Sequence, residues 1–244
     1  KKIIETVSEN GGHLSSNLGA VDILVALYYV FDFPEDKLIF DVGHQCYAHK
    51  ILSGRKDKFD TVRKSGGLSG FPNVFESEYD AFGAGHAGNS VSACLGYCAA
   101  RDARKENYYV VDLVGDASLF NGENLEAFTV SDKKPKNLII VLNDNGMSIS
   151  RNDNGMYKFF SKMRTKKSYN RFMSFMSRTI GKSFIGKKLK RFKDFFKITV
   201  NHTTAIEALG FKYVGIFDGN NIKELVKIFK NLKYSDKAVV LHLR

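Results

Sequence analysis

A chain of 244 residues, 43% of them hydrophobic, holds enough apolar material for one good-sized core, or one core with an appendage. No apolar run reaches the length a membrane-spanning helix needs, and residues 1–12 are polar and charged, without the apolar stretch of a signal peptide. The net charge of +11 is concentrated: residues 158–193 carry thirteen Lys or Arg and no acidic residue, which leaves twenty-four basic against twenty-six acidic residues elsewhere. The chain starts without Met and stops straight after a strand-like run, so it reads as a domain truncated at both ends, with any targeting segment outside it.

In chain order, Ser15 or Ser16 caps a predicted helix that runs to about residue 31, with Leu18, Val21, Leu24, Val25, Tyr28 and Phe31 at helical spacing. A strand is predicted over 38–42. A helix follows over 89–104, built from Ser, Ala, Gly and Cys so that it packs close to its neighbour. Its Cys94 and Cys98 sit four apart, as a metal pair or as two buried thiols. With only three cysteines the chain shows no disulfide framework and reads as reduced, cytoplasmic protein.

Residues 108–114 and 137–142 are nearly continuous apolar runs, the pattern of strands buried on both faces of a parallel sheet. The crossover helix between them falls over 121–132, which makes a βαβ unit. Beyond the basic stretch come a helix near 204–209, a strand over 212–216, a helix over 221–232 and a last strand over 238–243. Strands alternating with helices predict an α/β fold, a doubly wound and mostly parallel sheet flanked by helices. Residues 1–244 form one domain in this reading, with 151–202 a basic helical excursion inside it. The excursion alternates basic residues with Phe, Met and Ile, as a solvated helical face does; attraction of anionic substrates and nucleic-acid binding are the other readings.

The stretch that carries chemistry is Val114-Gly115-Asp116-Ala117-Ser118, at the end of a buried strand. Ligands of open α/β sheets sit at the carboxyl ends of strands. A Gly followed by Asp gives a tight turn and a carboxylate facing that crevice, and small residues beyond let backbone N–H groups approach an anion. The next strand ends in Asn143-Asp144-Asn145-Gly146-Met147, so Asp116 and an Asn carboxamide meet in one crevice. A few hard oxygen ligands suit Mg2+ completed by a ligand's phosphates. A helix cap at Asp116 and an ordinary turn at 143–146 account for the same residues.

Gly-Asp with a small residue, then Asn about thirty residues on, resembles the diphosphate-binding motif of thiamine-diphosphate enzymes. Gly11-Gly12-His13-Leu14, Asp41-Val42-Gly43-His44-Gln45, His49-Lys50-Ile51-Leu52-Ser53-Gly54-Arg55, Glu76-Ser77-Glu78-Tyr79-Asp80 and Leu142-Asn143-Asp144-Asn145-Gly146-Met147-Ser148-Ile149-Ser150 narrow the resemblance to the 1-deoxy-D-xylulose-5-phosphate synthase family. Leu209-Gly210-Phe211-Lys212-Tyr213-Val214-Gly215 and Asp218-Gly219 extend it over nearly the whole chain, with the basic stretch its weakest part.

The resemblance implies that Asp116 and Asn145 hold Mg2+ through side-chain oxygens and Met147 through its carbonyl. It sets the backbone of Ala117 and Ser118 against the diphosphate of thiamine diphosphate. Gly85, His86 and Ala87 match a Gly-His-Ser element that touches the cofactor. His13 and His44 are the implied catalytic groups: His44 at the diphosphate end, His13 near the reacting carbon, where an imidazole titrating near neutrality suits proton transfer or substrate orientation. Read without the resemblance, His13, His44 and His86 are equally loop histidines, and His49 and His202 are structural or solvent-exposed.

The implied reaction condenses pyruvate with glyceraldehyde 3-phosphate with loss of carbon dioxide, in the isoprenoid precursor, thiamine and pyridoxal pathways. The implied assembly is a homodimer. The Glu that bonds the cofactor's aminopyrimidine belongs to a second, pyrimidine-binding domain of the family, so this chain alone is expected to be inactive. Departures lie at Ala117, where the family has Gly, at Phe120-Asn121-Gly122-Glu123-Asn124, at Ala87-Gly88-Asn89-Ser90 and at Asn220. One subunit of a split transketolase-like enzyme and a non-catalytic basic binding module are the alternatives.

Overall fold

A computed structural model describes residues 1–130, 134–144 and 205–244. Asn145, Met147, His202 and the basic excursion at 151–202 lie outside the described residues.

Five parallel strands form one sheet: β1 (Lys37–Phe40), β2 (Val110–Gly115), β3 (Leu138–Asn143), β4 (Lys212–Phe217) and β5 (Val239–Leu243), in the order β1-β2-β3-β5-β4. Alternate residues point to opposite faces of a strand. Leu38, Phe40, Val111, Leu113, Ile139, Val141, Val239 and Leu241 accordingly enter one core, while Ile39, Val110, Val114, Leu138, Ile140, Leu142 and Val240 enter a second core on the other face. Burial on both faces explains the continuous apolar runs.

The first core is closed by α1 (Lys2–Asn10), α3 (Val21–Val30) and α9 (Ile222–Leu232), through Ile3 and Val7, Ile23, Leu24 and Leu27, and Leu225 and Phe229. The second is closed by α5 (Ser90–Arg104), α7 (Gly122–Thr129) and α8 (Ala205–Ala208), through Val91, Cys94, Cys98, Ala127, Phe128 and Ile206. From β1 to β3 the chain moves across the sheet in one direction, and from β4 to β5 it moves back. Parallel crossovers keep one hand, so reversing the direction puts the connecting helix on the opposite face. α9 therefore packs on α3 and away from α5 and α7.

Cys94 and Cys98 are buried free thiols of the second core, and burial pushes the Cys98 thiol up to about 11. Such thiols are inert packing groups. The predicted helix over 15–31 is two elements, α2 (Leu14–Leu18) and α3, separated at Gly19 and Ala20. Gly19 is a poor residue for a helix interior, and the Asn17 side chain just before it is engaged by the loop after β1. α1 carries its signal in Ile3 and Val7, one turn apart, within a segment otherwise too polar to read as helix. The strand predicted over 38–42 ends at Phe40, because Val42 takes φ 59°.

A buried ionic cluster ties α4 (Tyr47–Lys50) and the turns after it to the loop over 69–84. Asp80 accepts from His49 Nε2 at 2.8 Å, from both terminal nitrogens of Arg55 at 2.8 and 2.7 Å, and from Asn73 N at 2.8 Å. Glu76 accepts from Arg55 Nη1 and Ser69 N, each at 2.7 Å, and from Lys50. Burial by itself would raise the Asp80 carboxyl, but the Arg55 and His49 bonds hold it well below the usual carboxylate range. His49 is fully buried and structural: burial lowers its pKa, and the neutral ring donates Nε2–H to Asp80 and accepts the Tyr28 hydroxyl at Nδ1, 2.8 Å away.

Candidate functional site at the carboxyl ends of the strands

The carboxyl ends of β1, β2 and β3 lie side by side, since Phe40 pairs with Leu113 and Gly115 with Asn143. Past β2 the chain turns straight into α6 (Asp116–Leu119), with Asp116 buried at its first position. N–H groups in a helix's first turn have no intrahelical acceptor. Ala117 is exposed and Ser118 buried. At the end of β3, Asn143 Nδ2 donates to Gln45 Oε1 at 3.4 Å, which joins that strand end to the loop after β1. His242 Nε2 lies 3.0 Å from Asp144 Oδ2 and its Nδ1 lies 2.6 Å from the Tyr213 hydroxyl, so β4 and β5 brace the residue just before Asn145.

The two implied catalytic histidines come together. The rings of His13 and His44 meet edge to face with centroids 5.8 Å apart, and Phe71 stands 6.1 Å from His13. His13 is exposed and His44 half-buried. Burial, then the neighbouring His13, lower the His44 pKa, against a smaller opposing effect of Asp41. A neutral His44 has one donor and one acceptor nitrogen. Gln45 Nε2 lies 3.5 Å from its Nε2, while its buried Nδ1 has no hydrogen-bond partner among the described residues.

Gly85, His86 and Ala87 are exposed on the loop before α5, whose Ala84 lies close to Gly43. Asp41 fastens that loop: its buried carboxylate accepts from Gly88 N at 2.9 and 3.1 Å and from Ser90 N at 3.2 Å. Asp41 and Gln45 stand inside the 41–45 motif without an implied role, and Asn17 lies outside every motif of the resemblance. The available signal was their polarity among residues that otherwise read as core or turn. Asn17 Nδ2 donates to the carbonyl oxygens of His13 and His44, and Tyr47 N donates to its Oδ1.

The donor set fits the implied group where it is described. Asp116 is a hard, buried carboxylate at a helix start, and the unpartnered His44 Nδ1 is a buried polar atom that a ligand would satisfy. Among the described residues no three His, Cys, Asp or Glu are grouped to hold a metal.

All of residues 1–244 match the sequence profile described as 1-deoxy-D-xylulose-5-phosphate synthase. The chain belongs to the 1-deoxy-D-xylulose-5-phosphate synthase family. It is 47% identical over 247 residues to the 1-deoxy-D-xylulose-5-phosphate synthase of Clostridium tetani, with 99% of this chain and 40% of that protein covered. It is 46% identical to the one of Carboxydothermus hydrogenoformans, again over 99% of this chain and 40% of the relative. The chain thus spans about 40% of the length of these relatives. In fold it resembles transketolase from Campylobacter jejuni, with TM-score 0.68, 20% identity and coverage of 99% of this chain and 35% of that one. A transketolase from Pichia stipitis gives TM-score 0.69 at 17% identity, over 99% and 34% of the two chains. These likenesses show the parallel-sheet fold, and among the described residues no helix is long and apolar enough to cross a membrane.

Proposed function

We propose that this family member supplies the diphosphate-binding and metal-binding side of an enzyme that condenses pyruvate with glyceraldehyde 3-phosphate with release of carbon dioxide. The reading is supported by the pairing of His13 with His44, the second of them just past β1, and by the buried Asp116 at the carboxyl end of the neighbouring β2, in a chain 47% identical to a 1-deoxy-D-xylulose-5-phosphate synthase. Thiamine diphosphate, when bound, supplies the carbanion chemistry of the reaction. The chain's own residues hold and orient it. Asp116 binds Mg2+ together with the Asn145 side chain and the Met147 carbonyl, and the backbone at Ala117 and Ser118 faces the diphosphate. Gly85, His86 and Ala87 close over it from the facing loop. His44, kept neutral by burial, donates or accepts at its free Nδ1, and exposed His13 orients the substrate or moves its proton.

On this reading residues 1–244 are a single cofactor-binding domain with a basic excursion over 151–202. It works in a cytoplasmic homodimer with the family's pyrimidine-binding region and turns over no substrate by itself. The much higher identity to these synthases than to transketolases, 47% against 17–20%, favours pyruvate chemistry over a transketolase subunit. It equally favours a cofactor domain over a basic binding module.

The test is calorimetric binding of thiamine diphosphate to the full-length protein with and without Mg2+, followed by pyruvate decarboxylation, with Asp116→Ala as control. Mg2+-dependent binding that the variant loses is the expected result. Wild-type protein that binds no cofactor in Mg2+ overturns the reading.

A further inference from the structure

Asn124, in α7, is fully buried and uses every polar atom of its carboxamide. Its Nδ2 donates to Asp41 Oδ2 at 3.0 Å and to the Ser118 carbonyl at 2.9 Å, and its Oδ1 accepts from Val91 N at 3.1 Å. Asp41 in turn receives the backbone N–H groups of Gly88 and Ser90. One side chain therefore joins the α6 turn, which carries Asp116, Ala117 and Ser118, to the loop that carries Gly85, His86 and Ala87.

A second contact runs in parallel. Asn121 stands at the N-cap of α7 but leaves the helix uncapped; its Nδ2 reaches the Ala87 carbonyl at 3.3 Å instead. Gly88, at φ 98°, lies flat against it, and a Cβ there would fall 2.6 Å from Asn121 Cγ. Asn121 thus meets Ala87 and Gly88 directly, while Asn124 reaches the same loop through Asp41 and the Val91 N–H.

We propose that Asn124 is a positioning residue of the cofactor site. Through Asp41 it fixes the gap between the 85–89 loop and the α6 turn, so both sides of the diphosphate site are set before ligand arrives. The inference rests on the cofactor reading above. Without Asn124, the Val91 N–H and Ser118 carbonyl each lose a buried bond, and Asp41 keeps only its backbone donors. A buried group left unsatisfied is costly, and a loop that populates its competent position only part of the time binds more weakly by that fraction.

Asn124→Ala and Asn124→Asp in the full-length protein test this. The first keeps a good helix former, and the second keeps volume and the Val91 bond while removing both donors. Amide hydrogen exchange of the ligand-free protein and calorimetric affinity for thiamine diphosphate in Mg2+ are the readouts. In each variant we expect the Gly88 and Ser90 amides to exchange about tenfold faster, with Leu113 and Val141 in the sheet unchanged. The dissociation constant should rise by a similar factor. Wild-type binding with both variants unchanged in exchange or affinity overturns the proposal and leaves the cofactor reading standing. Faster exchange throughout the sheet marks a general packing role and also overturns it. Wild-type protein that binds no thiamine diphosphate overturns the cofactor reading, and the proposal with it.

Discussion

His13 and His44 face each other edge to face, 5.8 Å apart, because one buried carboxamide holds the backbone of both. Asn17 donates to the His13 carbonyl at 2.8 Å and to the His44 carbonyl at 2.7 Å, and it accepts from Tyr47 N at 2.8 Å. The two histidines sit on separate loops, and this clamp makes them one unit.

Removing the clamp should separate them. Asn17→Ala leaves two carbonyls and one N–H without partners, and Asn17→Asp sets a carboxylate oxygen against the carbonyls. Each is expected to cost about 1–3 kcal/mol in stability and to lower kcat more than it raises KM. Thermal unfolding and steady-state kinetics of the full-length protein check this; an unchanged kcat would separate the clamp from function.

Gly43 occupies a position where a side chain has no room. Its φ is 86°, and a Cβ would fall 2.4 Å from Pro72 Cδ and 3.1 Å from Ala84 Cβ. Gly43→Ala should cost about 1–3 kcal/mol and displace His44 beside it. Gly83→Ala, into open space, should stay within about 0.5 kcal/mol. Comparable thermal midpoints for the two variants would refute the packing argument.

His49 predicts a pH dependence. Its pKa is lowered in the folded state, so the unfolded chain binds the proton first, near 6.5. Stability from His49 is complete above that value and falls as the pH drops below it. Asp80, also depressed, adds to the loss only below its unfolded value near 4. Thermal midpoints should therefore fall between pH 7 and pH 5, and the fall should shrink in His49→Gln. An equal fall in the variant would place the effect elsewhere.

Asp112 has the opposite sign. Burial raises its carboxyl well above the ordinary range, opposed by the Ser90 bond and assisted by a smaller upward effect of Asp41. Stability from this group is complete below the unfolded value near 4 and declines as the pH rises. Asp112→Asn should raise the thermal midpoint by about 2–4 °C at pH 7, with no gain at pH 3.5. A drop at pH 7 as large as that of Asp112→Ala would show that the carboxylic acid itself is needed.

β1, β2, β3 and β5 were legible because burial on both faces leaves a continuous apolar run, whereas β4 is a partly exposed edge strand; Asp116 was legible because Gly-Asp follows such a run. The break at Gly19 and Ala20 was not, since residues 18, 21, 24, 25, 28 and 31 keep helical spacing straight through it. Nor was the part played by Lys50, Arg55, Glu76 and Asp80. Charged residues in sequence read as surface, and only mutual pairing makes their burial tolerable. Asn17, Asp41 and Asn124 are polar residues that bond largely to backbone groups, several of them on distant segments, and a backbone partner leaves no mark in sequence.

The sequence alone determined the strands and the longer helices, the parallel character of the sheet and the strand end that offers a carboxylate, because burial period and turn chemistry are local properties. The tertiary structure decided that β5 lies between β3 and β4, that His13 meets His44, and that Asn124 joins two loops through Asp41. These depend on hydrogen bonds between segments far apart in the chain, 83 positions in the case of Asn124 and Asp41, and the geometry that closes them exists only once both cores are packed.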